Sequence, residues 1–273
     1  MSVPRTETAS RLELARAIAI EAGELILSYY RTDRLETETK SDQSPVTTAD
    51  RGAERLLRER IAAVFPQDAI LGEEYGETAG TSGYRWILDP IDGTKSFVHG
   101  VPLFGTLIGV EREGAAGPAQ AVQTVIGVTH FPALGETLWA ERGSGAWWIE
   151  RPGAVVRAAR VSNVARLSGG LFSTTSVDAF ADAGQLDLYE RIRSACAHSR
   201  GWSDCYAYAL VATGRAEIAV DPVMKPWDSA GLQPIVEEAG GRFTDWAGTP
   251  SIYTGNAVAS NGLVHPEALR LLG

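Results

Sequence analysis

Apolar residues recur at helical spacing near the start of the chain. Ser10 with Glu13 three positions later has the pattern of a capping box, which predicts the start of a helix. The apolar positions that follow at helical spacing are Leu14, Ile18, Ala22, Leu25 and Tyr29. A second helix is predicted after Thr48 and ends before Pro66. Its apolar side carries Leu56, Leu57, Ile61 and Val64.

The pattern then changes to short apolar runs, which predict strands. These runs are Ala69–Gly72, Trp86–Leu88, Gly105–Val110, Val122–Val128, Thr137–Ala140 and Ala146–Ile149. Many are separated by glycine-rich or polar turns rather than by segments of helix length. We therefore expect mostly antiparallel neighbours in this part of the chain.

After about Asn163 the helical and strand patterns alternate, so the second half is predicted to be α/β. The predicted strands are Leu171–Ser173, Ala216–Val220, Phe243–Trp246 and Ala257–Ser260, and the predicted helices are Leu186–Cys196, Cys205–Thr213, Ser229–Ala239 and Pro266–Leu272. No linker or repeat divides the chain. We expect one body, with an N-terminal half of about residues 1–163 and a C-terminal half of about residues 164–273.

Composition and charge exclude several classes of protein. The chain of 273 residues has 25 Lys and Arg against 34 Asp and Glu, a formal charge of −9, and no basic run that would bind nucleic acid. Its 44% hydrophobic residues argue against disorder. The longest uncharged stretch, Gly114–Gly135, is interrupted by prolines and polar residues, and no export signal is visible, so we expect a soluble cytoplasmic protein. Cys196 and Cys205 lack metal-ligand spacing and are interpreted as buried thiols.

The segment after the second predicted strand carries the strongest chemical signal. The strand presents Asp89 at its carboxyl end, Pro90 is expected to end the strand pairing, and Asp92 follows on a tight turn. Two carboxylates in one small volume favour a divalent cation, and ligation by oxygen alone suits Mg²⁺. Gly93 and Thr94 then begin a predicted helical turn, whose free N–H groups suit a phosphate.

Acidic residues from other segments support a metal site. A simpler interpretation is that Asp89 and Asp92 only cap the turn. However, Glu73 also lies just beyond a predicted strand, Asp228 precedes a predicted helix, and Asp50 lies in the first turn of the helix after Thr48. Acids that converge from four segments are what a site with several metal ions requires.

These residues give the chain a clear resemblance to the inositol monophosphatase family. Four sequence motifs carry the resemblance, and they occur in the same order as in the family. They are Thr47–Asp50, Gly72–Glu74, Trp86–Thr94 and the run from Trp227 to Gly241. The resemblance implies a layered αβαβα sandwich and a Mg²⁺-dependent phosphatase of small phosphomonoesters that forms a homodimer. It also implies that Mn²⁺ can substitute for Mg²⁺ and that Li⁺ inhibits.

The resemblance further implies a role for individual residues. Two to three Mg²⁺ ions would be held by Glu73, Asp89, the Ile91 carbonyl, Asp92 and Asp228. Asp50 and Thr94 would orient and deprotonate the attacking water, with Glu73 assisting through a third, weaker ion. The phosphate would contact Asp92, Gly93 and Thr94.

Other segments resemble the histidinol-phosphate phosphatases of this family. The stretch Arg200–Tyr206 is similar to their Gly-Asp-Cys-Tyr segment, although Ser203 replaces a glycine, and Gly241–Gly248 and Ser260–His265 are also similar. Asp204 and Asp221 are candidate substrate-binding residues, because two carboxylates complement the ammonium and imidazole of L-histidinol phosphate. Alternatively, Asp204 caps a helix and Asp221 is a turn residue at a strand end.

The predicted activity is therefore hydrolysis of L-histidinol phosphate, in histidine biosynthesis. An inositol-1-phosphatase or a broad sugar-phosphate phosphatase is the alternative within the same chemistry. A catalytically silent binding or regulatory protein is the alternative from another class, but it predicts a lost ligand, and all the expected ligands are present. The sequence leaves the roles of Lys95, His99 and Arg200 open.

Overall fold

The computed structural model describes residues 7–33, 37–39, 45–113, 122–202 and 204–273. Ser203, which departs from the family pattern, lies outside these residues. Within the described ranges the α-helices are α1 (Glu7–Leu27), α2 (Thr48–Val64), α3 (Thr94–Val98), α4 (Val177–Asp182), α5 (Leu186–Ala195), α6 (Asp204–Ala212), α7 (Pro226–Ala230), α8 (Gln233–Glu238) and α9 (His265–Leu272).

The strands, numbered along the chain, form a hairpin and two sheets in the described residues. The hairpin is β1 (Thr37–Thr39) with β2 (Pro45–Thr47). The larger sheet has the spatial order β10 (Arg157–Ala158), β9 (Ala146–Ile149), β8 (Glu136–Glu141), β7 (Gln123–Phe131), β6 (Gly105–Arg112), β5 (Tyr84–Asp92), β3 (Ala69–Gly72) and β4 (Gly76–Thr78). The smaller sheet has the order β12 (His198–Arg200), β11 (Leu171–Ser173), β13 (Ile218–Asp221), β15 (Ala257–Ser260) and β14 (Arg242–Thr244).

Pairing in the larger sheet is antiparallel except between β3 and β5, which run parallel. This confirms the expectation of mostly antiparallel neighbours. Because β3 and β5 are parallel, their carboxyl ends meet at one edge, where Glu73 follows β3 and Asp89 belongs to β5. The smaller sheet combines parallel pairs around β11 with antiparallel pairs around β15.

Helices and sheets alternate in five layers. Helices α1 and α2 cover one face of the larger sheet, and α7 and α8 cover the other. Helices α6 and α8 pack between the two sheets, and α4, α5 and α9 share a core with the outer face of the smaller sheet. The αβαβα fold class is confirmed. The single body stays a prediction, which is supported by the core that α6 and α8 share with both sheets.

Side chains on one face of each outer helix explain this packing. Helix α1 buries Ala15, Ile18, Ala19, Ala22 and Ile26, and α2 buries Ala49, Ala53, Leu57 and Ile61. The alanines let the helices approach the sheet, and the longer side chains fill the space between them. No helix in the described part of the chain is long and apolar enough to cross a membrane.

Three local predictions were wrong. Helix α1 already includes Glu7, so Ser10 is inside it, and contacts of the first turn with the sheet, such as that between Thr8 and Tyr84, favour the longer helix. The predicted helix Ser229–Ala239 is two helices, α7 and α8. Pro234 is the second residue of α8, where proline is accepted because the first turn of a helix needs no N–H there.

Pro90 does not end the strand pairing. Strand β5 continues to Asp92, and its register against β6 shifts between Asp89 and Asp92. The Pro90 carbonyl accepts a hydrogen bond from Thr106 Oγ1 at 2.9 Å, which holds the irregular segment against β6. The sequence predicted that the strand ends at Pro90, and the structure instead has a register shift within a continuing strand.

Candidate metal and phosphate site

Three carboxylates converge where β5 meets α7. Ligand oxygens of Asp89, Asp92 and Asp228 all lie within 4.8 Å of one another. The irregular end of β5 contributes the first two, and Asp228 occupies the first turn of α7. Asp228 Oδ2 accepts a hydrogen bond from the Lys225 N–H at 2.8 Å, which orients the carboxylate at the helix start.

Asp89 is the most informative of the three. It is 2% exposed, and in the described part of the molecule its Oδ1 has no hydrogen-bond partner. A buried polar oxygen without a partner is costly, so such an atom at a cluster of acids points to a bound cation. By contrast, Asp92 Oδ2 accepts a hydrogen bond from the Cys205 N–H at 2.6 Å, which connects β5 to α6.

Burial and mutual repulsion explain the electrostatics of the cluster. Burial raises the pKa of Asp228 to about 7, and the negative charges of Glu73 and Asp204 add to this effect. Burial also raises the pKa of Asp89 and of Asp92 well above the ordinary value, and the neighbouring carboxylates add to both shifts. A divalent cation would remove this penalty, so the donor set fits Mg²⁺.

All five predicted metal ligands line one pocket with a volume of about 440 Å³: Glu73, Asp89, Ile91, Asp92 and Asp228. The Glu73 N–H donates to the Leu88 carbonyl at 3.2 Å, which places Glu73 beside Asp89 on the neighbouring strand. The structure brings these residues together, and their individual metal contacts stay predictions.

Asp50 and Thr94 meet at the edge of the same site. Asp50 is in the capping box of α2, where its Oδ2 accepts hydrogen bonds from the Thr47 N–H at 2.8 Å and the Thr47 hydroxyl at 2.5 Å. Its other oxygen lies 3.5 Å from Thr94 Oγ1, which also donates to the Ile91 carbonyl at 3.0 Å. Burial raises the pKa of Asp50 to about 6. A carboxyl group with that pKa can accept a proton near neutral pH.

Gly93 fits its position for a steric reason. Its φ is +85°, and a Cβ there would lie 3.1 Å from Asp204 Oδ2 and 3.1 Å from the Leu103 carbonyl oxygen. Glycine therefore allows the backbone of the turn before α3 to approach both neighbours. Gly93, Thr94 and Lys95 all line the pocket.

The two predicted substrate-binding residues have different surroundings. Asp204 lines the main pocket, and its charge contributes to the raised pKa of Asp92. Asp221 is 1% exposed and accepts hydrogen bonds from Thr174 Oγ1 at 2.9 Å, the Thr175 N–H at 2.8 Å and Tyr208 Oη at 2.9 Å. It lines a smaller adjoining pocket of about 80 Å³ that it shares with Asp204.

Sequence reasoning missed the start of α4, which also lines the main pocket. Thr175, Ser176 and Asp178 follow β11 directly. The strand itself was predicted, so the rule that drew attention to Asp89 at a strand end could also have drawn attention to these residues. His99 is exposed, and its Nδ1 lies 2.8 Å from the Lys95 carbonyl oxygen.

Comparison with known proteins agrees with this arrangement. The model of the Inositol monophosphatase family matches residues 7–272. The chain belongs to the inositol monophosphatase family. A histidinol-phosphatase of Chlorobaculum parvum is 45% identical over 91% of each chain, and one of Streptomyces coelicolor is 37% identical over 96% of each. These matches confirm the family and the branch that the motifs indicated.

A solved structure supports the fold. The extragenic suppressor protein suhB from Bartonella henselae superposes with a TM-score of 0.86 at 29% identity, covering 96% of this chain and 98% of that one.

Proposed function

We propose that this protein is a Mg²⁺-dependent phosphomonoesterase that hydrolyses L-histidinol phosphate to L-histidinol and phosphate in histidine biosynthesis. The observation that carries the proposal is the buried, unpartnered oxygen of Asp89 among the carboxylates of a pocket with room for a small ester. The choice of substrate is supported by relatives named histidinol-phosphatase.

Two to three Mg²⁺ ions would be held by Glu73, Asp89, the Ile91 carbonyl, Asp92 and Asp228. When bound, they supply positive charge that acidifies water and stabilises the developing charge of the reacting phosphate. Mn²⁺ is the expected substitute and Li⁺ the expected inhibitor.

The protein's own groups position the phosphate and move the proton. Gly93 and Thr94 lie at the start of α3, next to Asp92. Their N–H groups are proposed to donate to phosphate oxygens. The Thr94 hydroxyl can accept a proton from the attacking water while it donates its own toward Asp50. The raised pKa of Asp50 suits it to receive that proton.

Two further carboxylates in the pocket support a cationic substrate. Asp204 and Asp178 line the pocket in addition to the proposed metal ligands, and they would face an ammonium or imidazolium group. Asp221 is proposed to act beside Asp204 from the adjoining pocket. Inositol carries no such positive charge, so carboxylates favour histidinol phosphate.

The test compares kcat/KM for L-histidinol phosphate and inositol-1-phosphate with Mg²⁺, in the wild type and in Asp204→Asn. We expect a clear preference for histidinol phosphate, and we expect the variant to reduce that preference mainly through KM. Loss of one charged contact is worth about 1.5–3 kcal/mol, roughly a tenfold to hundredfold change in kcat/KM. Asparagine tolerates the positive φ of +27° at this position, so the substitution tests charge rather than backbone strain.

Equal kcat/KM values for the two substrates in the wild type would contradict the substrate assignment. A protein that released no phosphate from either ester would instead support a catalytically silent member of the family. The homodimer and the cytoplasmic location also stay predictions; sedimentation of the purified protein tests the first.

A further inference from the structure

Helix α2 carries a second buried acid, one helical turn after Asp50, that the reaction does not use directly. Glu54 is 0% exposed and lies on the side of α2 that faces the loop after β3. A fully buried glutamate needs partners for both oxygens, and here those partners are identified.

Glu54 holds the backbone that follows Glu73. Its Oε2 accepts a hydrogen bond from the Glu74 N–H at 2.7 Å, and its Oε1 accepts one from the Tyr75 N–H at 3.3 Å. On the other side of residue 73, the Glu73 N–H donates to the Leu88 carbonyl. The backbone of residues 73–75 is therefore fixed both to strand β5 and to helix α2.

Arg58 fixes Glu54 in turn. Its Nε donates to Glu54 Oε1 at 2.7 Å, its Nη1 donates to Thr78 Oγ1 at 3.0 Å, and its Nη2 donates to the Gly76 carbonyl. One arginine thus neutralises the buried carboxylate and binds the strand that follows the loop. The charge pair connects α2 with the turn between β3 and β4.

Gly72 explains how the carboxylate reaches this position. A Cβ on residue 72 would lie 1.9 Å from Glu54 Oε1 and 2.4 Å from its carboxyl carbon. Any other residue would displace Glu54, so the glycine that precedes Glu73 provides the space that Glu54 occupies.

We propose that Glu54, supported by Arg58 and given space by Gly72, is a positioning residue that orients Glu73 toward the metal site. The inference rests on the proposed metal-dependent function. It assigns Glu54 no contact with substrate or metal. Helix α2 would then position both Asp50 and the loop that carries Glu73. It would thereby fix the distance between the proposed proton acceptor and a proposed metal ligand.

The test measures binding of Mn²⁺ alone, by electron paramagnetic resonance of the free ion, in the wild type and in Glu54→Gln. Glutamine has the same shape, but its NH2 group is a donor and must face either Arg58 or a backbone N–H, which are donors too. One of these donors therefore loses its acceptor. Groups that orient a metal ligand change affinity by about tenfold to a hundredfold, and we expect a weakening of that size. With saturating Mg²⁺, kcat should recover.

Glu111→Gln is the matched control. Glu111 is also buried, 1% exposed, and pairs with Arg85 at 2.6 Å. It accepts two hydrogen bonds from Arg85 and one from the Tyr253 hydroxyl, and within the described residues it accepts none from the Glu73 loop. We expect this control to retain the wild-type affinity for Mn²⁺ even where its stability falls. Gly72→Ala is a second variant, expected to weaken Mn²⁺ binding because its Cβ displaces Glu54.

The outcomes separate the two proposals. Unchanged Mn²⁺ affinity in both Glu54→Gln and Gly72→Ala, or an equal loss in Glu111→Gln, would overturn the positioning role while the metal-dependent function stands. A wild-type protein that binds no Mn²⁺ and hydrolyses esters without a metal would overturn the proposed function and this inference together.

Discussion

Asp92 has two roles that a substitution can separate. One of its oxygens accepts the Cys205 N–H at 2.6 Å, which joins the larger sheet to α6, and the carboxylate also belongs to the proposed metal cluster. An asparagine can still accept the hydrogen bond with its side-chain carbonyl. It cannot supply the negative charge with which a carboxylate offsets a divalent cation.

We therefore expect Asp92→Asn to keep the fold and to lower kcat/KM by at least about a hundredfold, the scale of a lost electrostatic contact at a reacting group. In metal-free buffer its melting temperature should rise, because the variant no longer buries a carboxylate and no longer repels Asp204 and Asp228. A gain of 1 kcal/mol corresponds to about 2–4 °C for a chain of this size.

Calorimetry with and without Mg²⁺ checks this prediction beside a phosphatase assay. Asp187→Asn is the control, because it makes the same change at an exposed site in the first turn of α5. It should neither lower kcat/KM nor raise the melting temperature. Activity close to that of the wild type in Asp92→Asn would contradict the proposed metal site.

At the scale of elements, the distance between α7 and the larger sheet determines where Asp228 lies. A Cβ on Gly109 would lie 2.4 Å from Ala230 Cβ, and one on Gly127 would lie 2.5 Å from the Gly231 carbonyl oxygen. Two glycines on neighbouring strands thus let the carboxyl end of α7 rest directly on the backbone of the sheet. Asp228 reaches the carboxylates of β5 because of this close approach.

Gly109→Ala should push α7 outward, since the contact is with a helix and not with the end of a flexible side chain. We expect a loss of about 1–3 kcal/mol in the free energy of unfolding, typical of overpacking, together with weaker Mg²⁺ binding. Urea unfolding and metal titration measure the two effects.

Gly52→Ala in α2 is the control, because its Cβ would lie 3.7 Å from Leu25 Cδ2, an ordinary contact. Removing a helical glycine should raise stability by about 0.5–1 kcal/mol. If Gly109→Ala bound Mg²⁺ as the wild type does, the spacing of α7 would not control the site.

At the scale of the whole molecule, stability also depends on pH through buried groups that do not belong to the site. His130 on β7 is 8% exposed, its Nδ1 lies 2.8 Å from Thr137 Oγ1, and its ring faces Gly23 of α1. Burial lowers the pKa of His130 to about 4. In the unfolded chain the pKa of a histidine is about 6.5. Between about pH 4 and 6.5 the unfolded chain therefore binds a proton at this residue and the folded protein does not.

The stability that neutral His130 contributes should be fully present above pH 6.5 and be lost as the pH falls through about 4. Between pH 7.5 and 5 the loss amounts to roughly 2 kcal/mol. His130→Gln does not titrate, so its free energy of unfolding should fall by that much less over the same interval.

Urea unfolding in metal-free buffer at both pH values measures the difference. The raised pKa values of the site carboxylates and the lowered pKa of His265 are common to both proteins and cancel in the comparison. Identical pH dependence in the two proteins would show that His130 does not hold its neutral form in the fold.

Much of the fold follows from local patterns. Apolar periodicity predicted α2, the central strands and most of the second half, because a helix or strand must bury one side. The weakest predictions concerned places where tertiary contacts decide. Helix α1 begins earlier than the capping pattern at Ser10 predicted. Pro90 lies within a strand because its carbonyl accepts a hydrogen bond from Thr106 of β6.

The sequence by itself determined which chemistry this protein can carry out. Acids at strand ends and helix starts, with glycine and threonine at a turn, depend only on local order along the chain, so the metal-site prediction and the family could be found from them.

The tertiary structure decided which groups meet. The bond from Cys205 to Asp92, the three donors that surround Asp221, and the contact of Glu54 with the loop after β3 join segments far apart in the chain. Such contacts arise from how the layers pack, and packing depends on the shapes of many side chains at once rather than on any local pattern.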